Sequence, residues 1–186
     1  MDGKSSKRGL PPSKQGSPAA SRAAPRIALE EAVESGQVTA VAELLRPYAR
    51  SLSTSHSAQD LAAELAGLPG DYAPPRGRLL LGRVDGRAEG CVALRPLEPR
   101  VCEMKRLYVR PEARGTGLGG RLVRRAIADA AALGYERMRL DTLPEMETAL
   151  NLYRRLGFRP IASYNANPIP GALFFELDLR AGAPGV

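Results

Sequence analysis

The stretch Arg114-Gly115-Thr116-Gly117-Leu118-Gly119-Gly120 constrains this chain more than any other. It joins an apolar run, Leu107 to Val109, to an amphipathic helical pattern from Leu118 to Leu133. Within that pattern Leu122, Val123, Ala126, Ile127 and Ala130 recur at helical spacing and leave Arg121, Arg124, Arg125 and Asp129 outside, so the helix is expected to lie on a sheet. At a helix start the amide N–H groups lack intrahelical partners and the dipole presents positive partial charge. The natural guest of a glycine turn there is a phosphate or diphosphate. Arg110, Arg114, Arg121, Arg124 and Arg125 surround that opening with cations able to reach phosphate oxygens.

Three ligand readings compete for the loop. A Walker-type phosphate loop needs Lys followed by Ser or Thr after its last glycine, and Arg121-Leu122 stands there instead. Gly115-x-Gly117-x-x-Gly120 has the dinucleotide spacing. However, Arg110-Pro111-Glu112-Ala113 separates strand from loop, and the doubly wound repeat that should follow is missing. The third reading is Arg114-x-x-Gly117-x-Gly119, which with its surroundings resembles the coenzyme A diphosphate loop of the Gcn5-related N-acetyltransferase (GNAT) family. The run from Glu103 through Tyr108 to Gly119 is similar to that family's fourth strand and following motif. Ala149 with Leu152-Tyr153-Arg154-Arg155-Leu156-Gly157-Phe158 resembles its C-terminal helix and turn. The likeness covers most of the chain from about Arg26 to Leu179. It implies the GNAT acyl-CoA N-acyltransferase fold, an α/β (α+β) domain with a mixed, mostly antiparallel sheet of six to seven strands flanked by about four helices.

A coarse pass along the chain is consistent with that architecture. Arg26 to Val33 reads as a strand, Gln37 to Ser51 as a helix, and Leu61 and Leu65 mark a shorter helix before a turn-rich break at Pro69 to Gly77. Arg78 to Val84 and Gly90 to Arg95 read as strands joined through Asp85-Gly86, with Pro96 to Pro99 turning into the next strand. Arg137 to Thr142, Phe158 to Tyr164 and Ala172 to Leu179 supply three more, the last alternating through Leu173, Phe175, Leu177 and Leu179.

With 186 residues, 44% of them hydrophobic, the chain suits one modest domain, here residues 26–180. Residues 1–25 are rich in Ser, Pro, Gly, Lys and Arg and read as a disordered basic tail, and 181–186 as a short C-terminal tail. The net charge is +7, of which the first 26 residues carry +5. The domain itself is therefore nearly neutral, which argues against a dedicated nucleic-acid binder. No apolar stretch approaches the roughly 20 residues that cross a bilayer, and the N-terminus lacks a secretory hydrophobic segment, so no membrane partner and a cytoplasmic location are expected. Cys91 and Cys102 read as reduced core residues on a hairpin. With His56 the sole histidine, no metal site is assigned.

The resemblance also implies roles. Acetyl-CoA is the expected donor, cradled by Leu107, Tyr108, Val109, Arg114, Gly115, Thr116, Gly117, Leu118, Gly119 and Gly120. In the family the site strand carries a bulge and splays from its neighbour, leaving main-chain groups for the pantetheine arm and an oxyanion donor around Leu107 or Tyr108. Glu103 stands eleven residues before Arg114, where one branch of the family carries its general base; otherwise it is a solvent-facing strand residue or an ion-pair partner for Lys105 or Arg106. Tyr153 falls where the family places a phenol near the coenzyme sulfur, able to protonate the departing thiolate; its rival role is packing helix on sheet.

One departure stands out. Met146 occupies the place of a frequent Asn seven residues before the Tyr, and Asn151, a further cofactor-facing candidate, lies about 200° around the helix from Tyr153. Asp141 and Thr142 read as capping or turn residues. The acceptor side is expected over residues 45–68 and 164–171, with Tyr48, His56, Tyr72, Tyr164 and Asn165 as lining groups and Asn165-Ala166-Asn167-Pro168-Ile169-Pro170-Gly171 as a stiff wall. The implied activity is acetyl transfer to a primary amine by direct attack in a ternary complex. The amine belongs to a small molecule first, with a protein lysine or N-terminus as the alternative, and the protein acts as monomer or homodimer. A catalytically silent acyl-CoA-binding regulatory module and a nicotinamide-dependent reductase are the competing classes.

Overall fold

The computed structural model describes residues 24–51, 56–165 and 170–180. The tails at 1–23 and 181–186 and residues 166–169 of the acceptor wall lie outside the described residues, as do the side chains of Tyr48 and His56. The chain runs β1 (Ile27–Glu31), α1 (Ser35–Ser51), α2 (His56–Ala66), β2 (Arg78–Val84), β3 (Arg87–Glu98), β4 (Val101–Val109), α3 (Leu118–Ala132), β5 (Arg137–Thr142), α4 (Glu147–Arg155), β6 (Arg159–Ile161) and β7 (Leu173–Asp178). The strands form one seven-stranded sheet in the order β1-β2-β3-β4-β5-β7-β6. All neighbours are antiparallel except β4 and β5. This is the mixed sheet flanked by four helices expected from the sequence.

Period-two alternation gives the sheet two apolar faces. Leu80, Val92, Leu94, Cys102, Met104, Met138 and Leu140 pack with α3 and α4 on one side. Leu79, Leu81, Cys91 and Ala93 pack with α1 and Tyr72 on the other. The stripe Leu122, Val123, Ala126, Ile127 and Ala130 of α3 is fully buried, as its spacing predicts.

Several strand details differ from expectation. β3 does not stop at Arg95 but continues through Pro96 to Glu98, and the turn into β4 falls at Arg100, which has φ 61°. A register irregularity between Pro96 and Glu98 accommodates the missing N–H of the proline. The strand expected over Phe158 to Tyr164 is only Arg159–Ile161, an edge strand containing Pro160, after which the chain leaves the sheet. In β7 both Phe174 and Phe175 are buried while Leu173 is exposed, so the expected alternation holds only from Phe175 onward.

Two irregularities position everything that follows. Cys91 faces Tyr108 while Ala93 faces Lys105, so β4 carries one residue more than β3 across that interval, and Arg106 takes φ 58°. As a result Lys105 and Arg106 both serve the α1–α2 face, while Leu107 and Val109 join the α3 core and Tyr108 the opposite cluster. Meanwhile β4 pairs with β5 only over Val101–Arg137, Cys102–Met138 and Glu103–Arg139. Beyond Glu103 the two strands part, and the β5-facing edge of β4 from Met104 to Val109 has no strand partner.

Candidate active site

The glycine loop opens at the wide end of that parting. Arg110–Ala113 make a tight turn after β4, and Gly115 and Gly117 both adopt left-handed conformations, φ 80° and 88°. A Cβ on either would meet nothing within 4 Å, so glycine is required there by backbone geometry rather than by space. Thr116 ties the turn, donating its hydroxyl to the Ala113 carbonyl at 2.7 Å and accepting from the Leu118 amide at 3.4 Å. Gly117 caps α3 without a side chain. Among the described residues the amides of Gly115, Gly117, Gly119 and Gly120 find no main-chain or side-chain acceptor. Four N–H donors with a helix start behind them suit a diphosphate.

The start of α3 is seated by two other glycines. Gly82 and Gly90 pair across β2 and β3. A Cβ on Gly82 would lie 2.6 Å from Leu118 Cδ1, and one on Gly90 2.9 Å from the Tyr108 carbonyl oxygen and 3.0 Å from Leu118 Cδ2. Leu118, the first residue of the helix, therefore drops onto bare backbone, which fixes the height of the loop over the sheet.

Tyr153 lies inside the α3–α4 core, 5% exposed, with its ring 5.6 Å from that of Phe158. Its phenol makes no hydrogen bond to the protein among the described residues. Burial first, and then the negative charge of Asp141, hold its pKa well above the ordinary phenol range, so it remains a neutral O–H donor. Asn151 is exposed on α4 away from Tyr153, as the helical angle requires. Leu152, between them, approaches Gly120 at the start of α3.

Glu103 is neither solvent-facing nor paired with Arg106. It is fully buried. Arg95 donates to its Oε2 from Nε at 2.8 Å and from a terminal nitrogen at 2.7 Å, and Tyr164 donates to its Oε1 at 3.0 Å. Lys105 Nζ stands 3.5 Å from the same Oε1 and 2.9 Å from Asp141 Oδ1. Arg106 pairs instead with Glu64 of α2, Nε to Oε1 at 2.7 Å, and Glu64 also accepts from Tyr72 at 2.8 Å. Asp141 and Thr142 do not cap α4, whose N-cap is Met146: Asp141 holds Lys105, and the Thr142 hydroxyl points at the Met146 sulfur.

Tyr164 brings the β6–β7 connection down on this network. Its ring packs edge-on against Phe174 at 5.2 Å and under the Arg139 guanidinium at 5.5 Å, and Arg139 in turn binds Glu98 and Glu176. Tyr72 and Tyr164, named from sequence as acceptor-lining, thus both donate to carboxylates, of Glu64 and Glu103. Arg95 and Arg139 are the members that sequence reasoning did not assign, while Lys105 was named only as a candidate ion-pair partner of Glu103. Their signal was weak, because ordinary strand positions carry such residues as solvated charges.

Comparison with known proteins fits this geometry. Residues 38–158 match the model of the "Acetyltransferase (GNAT) family". An uncharacterized N-acetyltransferase of Schizosaccharomyces pombe is 41% identical over 138 residues, which is 73% of this chain and 85% of that one. A GNAT-family acetyltransferase of Staphylococcus aureus superposes with a TM-score of 0.69 at 16% identity over 83% of this chain and 99% of its own. An acetyltransferase of Salmonella typhimurium, solved with its cofactor acetyl-CoA, does so with a TM-score of 0.60 at 21% identity, over 82% of this chain and 94% of its own.

Proposed function

Since the chain belongs to the GNAT acetyltransferase family and is an acetyl-CoA-dependent N-acetyltransferase, we propose that it acetylates a primary amine by direct attack within a ternary complex. The observation that carries this reading is the continuity of two features: the open amides of Gly115, Gly117, Gly119 and Gly120, and the unpaired edge of β4 from Met104 to Val109. The first suits the diphosphate of coenzyme A. The second offers its amide-bearing arm a strand to lie against. Arg114, Thr116 and Leu118 shape the loop, and Leu107, Tyr108 and Val109 supply the edge.

The chain's own groups supply the remaining chemistry. A free main-chain amide near Leu107 or Tyr108 donates to the oxyanion as the amine nitrogen bonds to the acyl carbon. Glu103 draws the amine proton through a water, since both of its oxygens are already engaged by Arg95, Lys105 and Tyr164. As the carbon–sulfur bond breaks, Tyr153 gives its proton to the thiolate and is restored from solvent. In the competing reading, a silent acyl-CoA-binding module, Tyr153 serves only to pack α4 against Phe158 and the core.

A screen of small primary amines and lysine peptides with acetyl-CoA, read by thiol release, tests the proposal. An amine-dependent rate that follows saturating kinetics in both substrates supports it. Binding of acetyl-CoA with no amine-dependent release across the panel sinks it in favour of the silent module.

A further inference from the structure

Lys105 is the sole lysine after Lys14, since every other basic residue from Arg22 onward is arginine. It stands at a particular place. β4 and β5 pair as far as Glu103–Arg139. Two residues further along both strands, at the first same-face position beyond the pairing, Lys105 Nζ meets Asp141 Oδ1 at 2.9 Å. A side-chain ion pair thus bridges the strands where the ladder has already ended. Both side chains are less than one fifth exposed. The Lys105 ammonium stands between the two carboxylates, 2.9 Å from Asp141 Oδ1 and 3.5 Å from Glu103 Oε1.

The direction of the slot follows from its two ends. The glycine loop lies at the Val109 end of β4, so an arm anchored there runs along the strand toward Glu103, and its reactive end arrives at the closed end. That end is walled on three sides. The paired strands stand ahead, the α3–α4 core to which Met104, Leu140, Leu150 and Tyr153 belong lies on one face of the sheet, and the Lys105–Asp141 pair spans the other.

Resting on the acetyl-CoA reading above, we propose that the Lys105–Asp141 ion pair is the acyl-length gauge of the donor site. A two-carbon acyl group fits beneath it. A longer chain must force the strands apart or break the pair, leaving a carboxylate and an ammonium half-buried without each other.

Titration calorimetry with free coenzyme A, acetyl-CoA and hexanoyl-CoA, on the wild type and on Asp141→Ala, tests this without any acceptor. The wild type is expected to bind hexanoyl-CoA at least about tenfold more weakly than acetyl-CoA. In Asp141→Ala that ratio should fall below about threefold while the affinity for free coenzyme A stays unchanged, a result that general destabilisation would not produce. Should Asp141→Ala fail to fold, Lys105→Met, which keeps the length and removes the charge, should show the same loss of discrimination. Equal wild-type affinity for the two acyl forms, or undiminished discrimination in the folded variant, overturns the gauge. Absence of wild-type affinity for free coenzyme A overturns the donor reading and the gauge with it.

Discussion

The Tyr164 hydroxyl donates to Glu103 Oε1 at 3.0 Å across 61 positions of the chain. That one bond fastens the β6–β7 connection to the buried carboxylate of β4. Burial first, then the charges of Glu103 and Asp141, push the pKa of this phenol far above its ordinary value, so it donates throughout the neutral range.

Tyr164→Phe keeps the edge contact with Phe174 but removes the donor. The expected cost is about 1.5–3 kcal/mol, the worth of a hydrogen bond to a charged group. Urea unfolding of the variant beside the wild type measures it, and coincident curves would show that the bond contributes nothing.

Tyr153→Phe should fold normally, since the ring stays packed against Phe158. With an acceptor identified, kcat should fall about 100-fold, the lower end of what a positioned acid contributes, with the dissociation constant for coenzyme A unchanged. An unaltered kcat would reduce Tyr153 to a packing residue.

Stability should decline in alkali. Burial raises Tyr72, Tyr153 and Tyr164 above the ordinary phenol value and pushes the thiols of Cys91 and Cys102 up to about 12. All five groups ionise more readily unfolded, thiols from about 8.5 and phenols from about 10. Their contribution is therefore complete below those unfolded values and is lost as pH rises toward the folded ones. Melting temperature followed from pH 7 to 11 should be level at first and then fall. A rise above pH 9 would contradict the burial of these groups.

Gly82→Ala places a methyl group 2.6 Å from Leu118 Cδ1. Overpacking of this kind costs about 1–3 kcal/mol. Because Leu118 begins α3, affinity for coenzyme A should weaken together with stability. Gly117→Ala has room for its methyl group but must hold φ 88°, so it should weaken binding at a cost of about 1–2 kcal/mol. Unchanged coenzyme A affinity in both variants would separate the loop from ligand binding.

What the sequence revealed and what it hid have different physical causes. The glycine turn and the stripe of α3 are local signals, fixed by spacing within one element, and the structure reproduces them. The environment of Glu103 is not local: Arg95 reaches it from β3, Tyr164 from beyond β6, and Lys105 acts with Asp141 of β5. No periodicity within β4 encodes those meetings. The bulge was expected only by resemblance, because its left-handed residue is Arg106 rather than a glycine. The short β6 was hidden because Ala162 to Tyr164 read as extended, while tertiary contacts draw Tyr164 off the sheet onto Glu103.

The surplus residue at Arg106 resets the odd–even parity of β4 in mid-strand. Upstream, Glu103 and Lys105 count toward the α1–α2 face; downstream, Leu107 and Val109 count toward the helix that bears the glycine turn. Exchanging Arg106 for another side chain would leave that arithmetic intact, whereas excising it would invert every position up to the loop. What this strand must transmit from one generation to the next is thus a tally of residues more than a spelling.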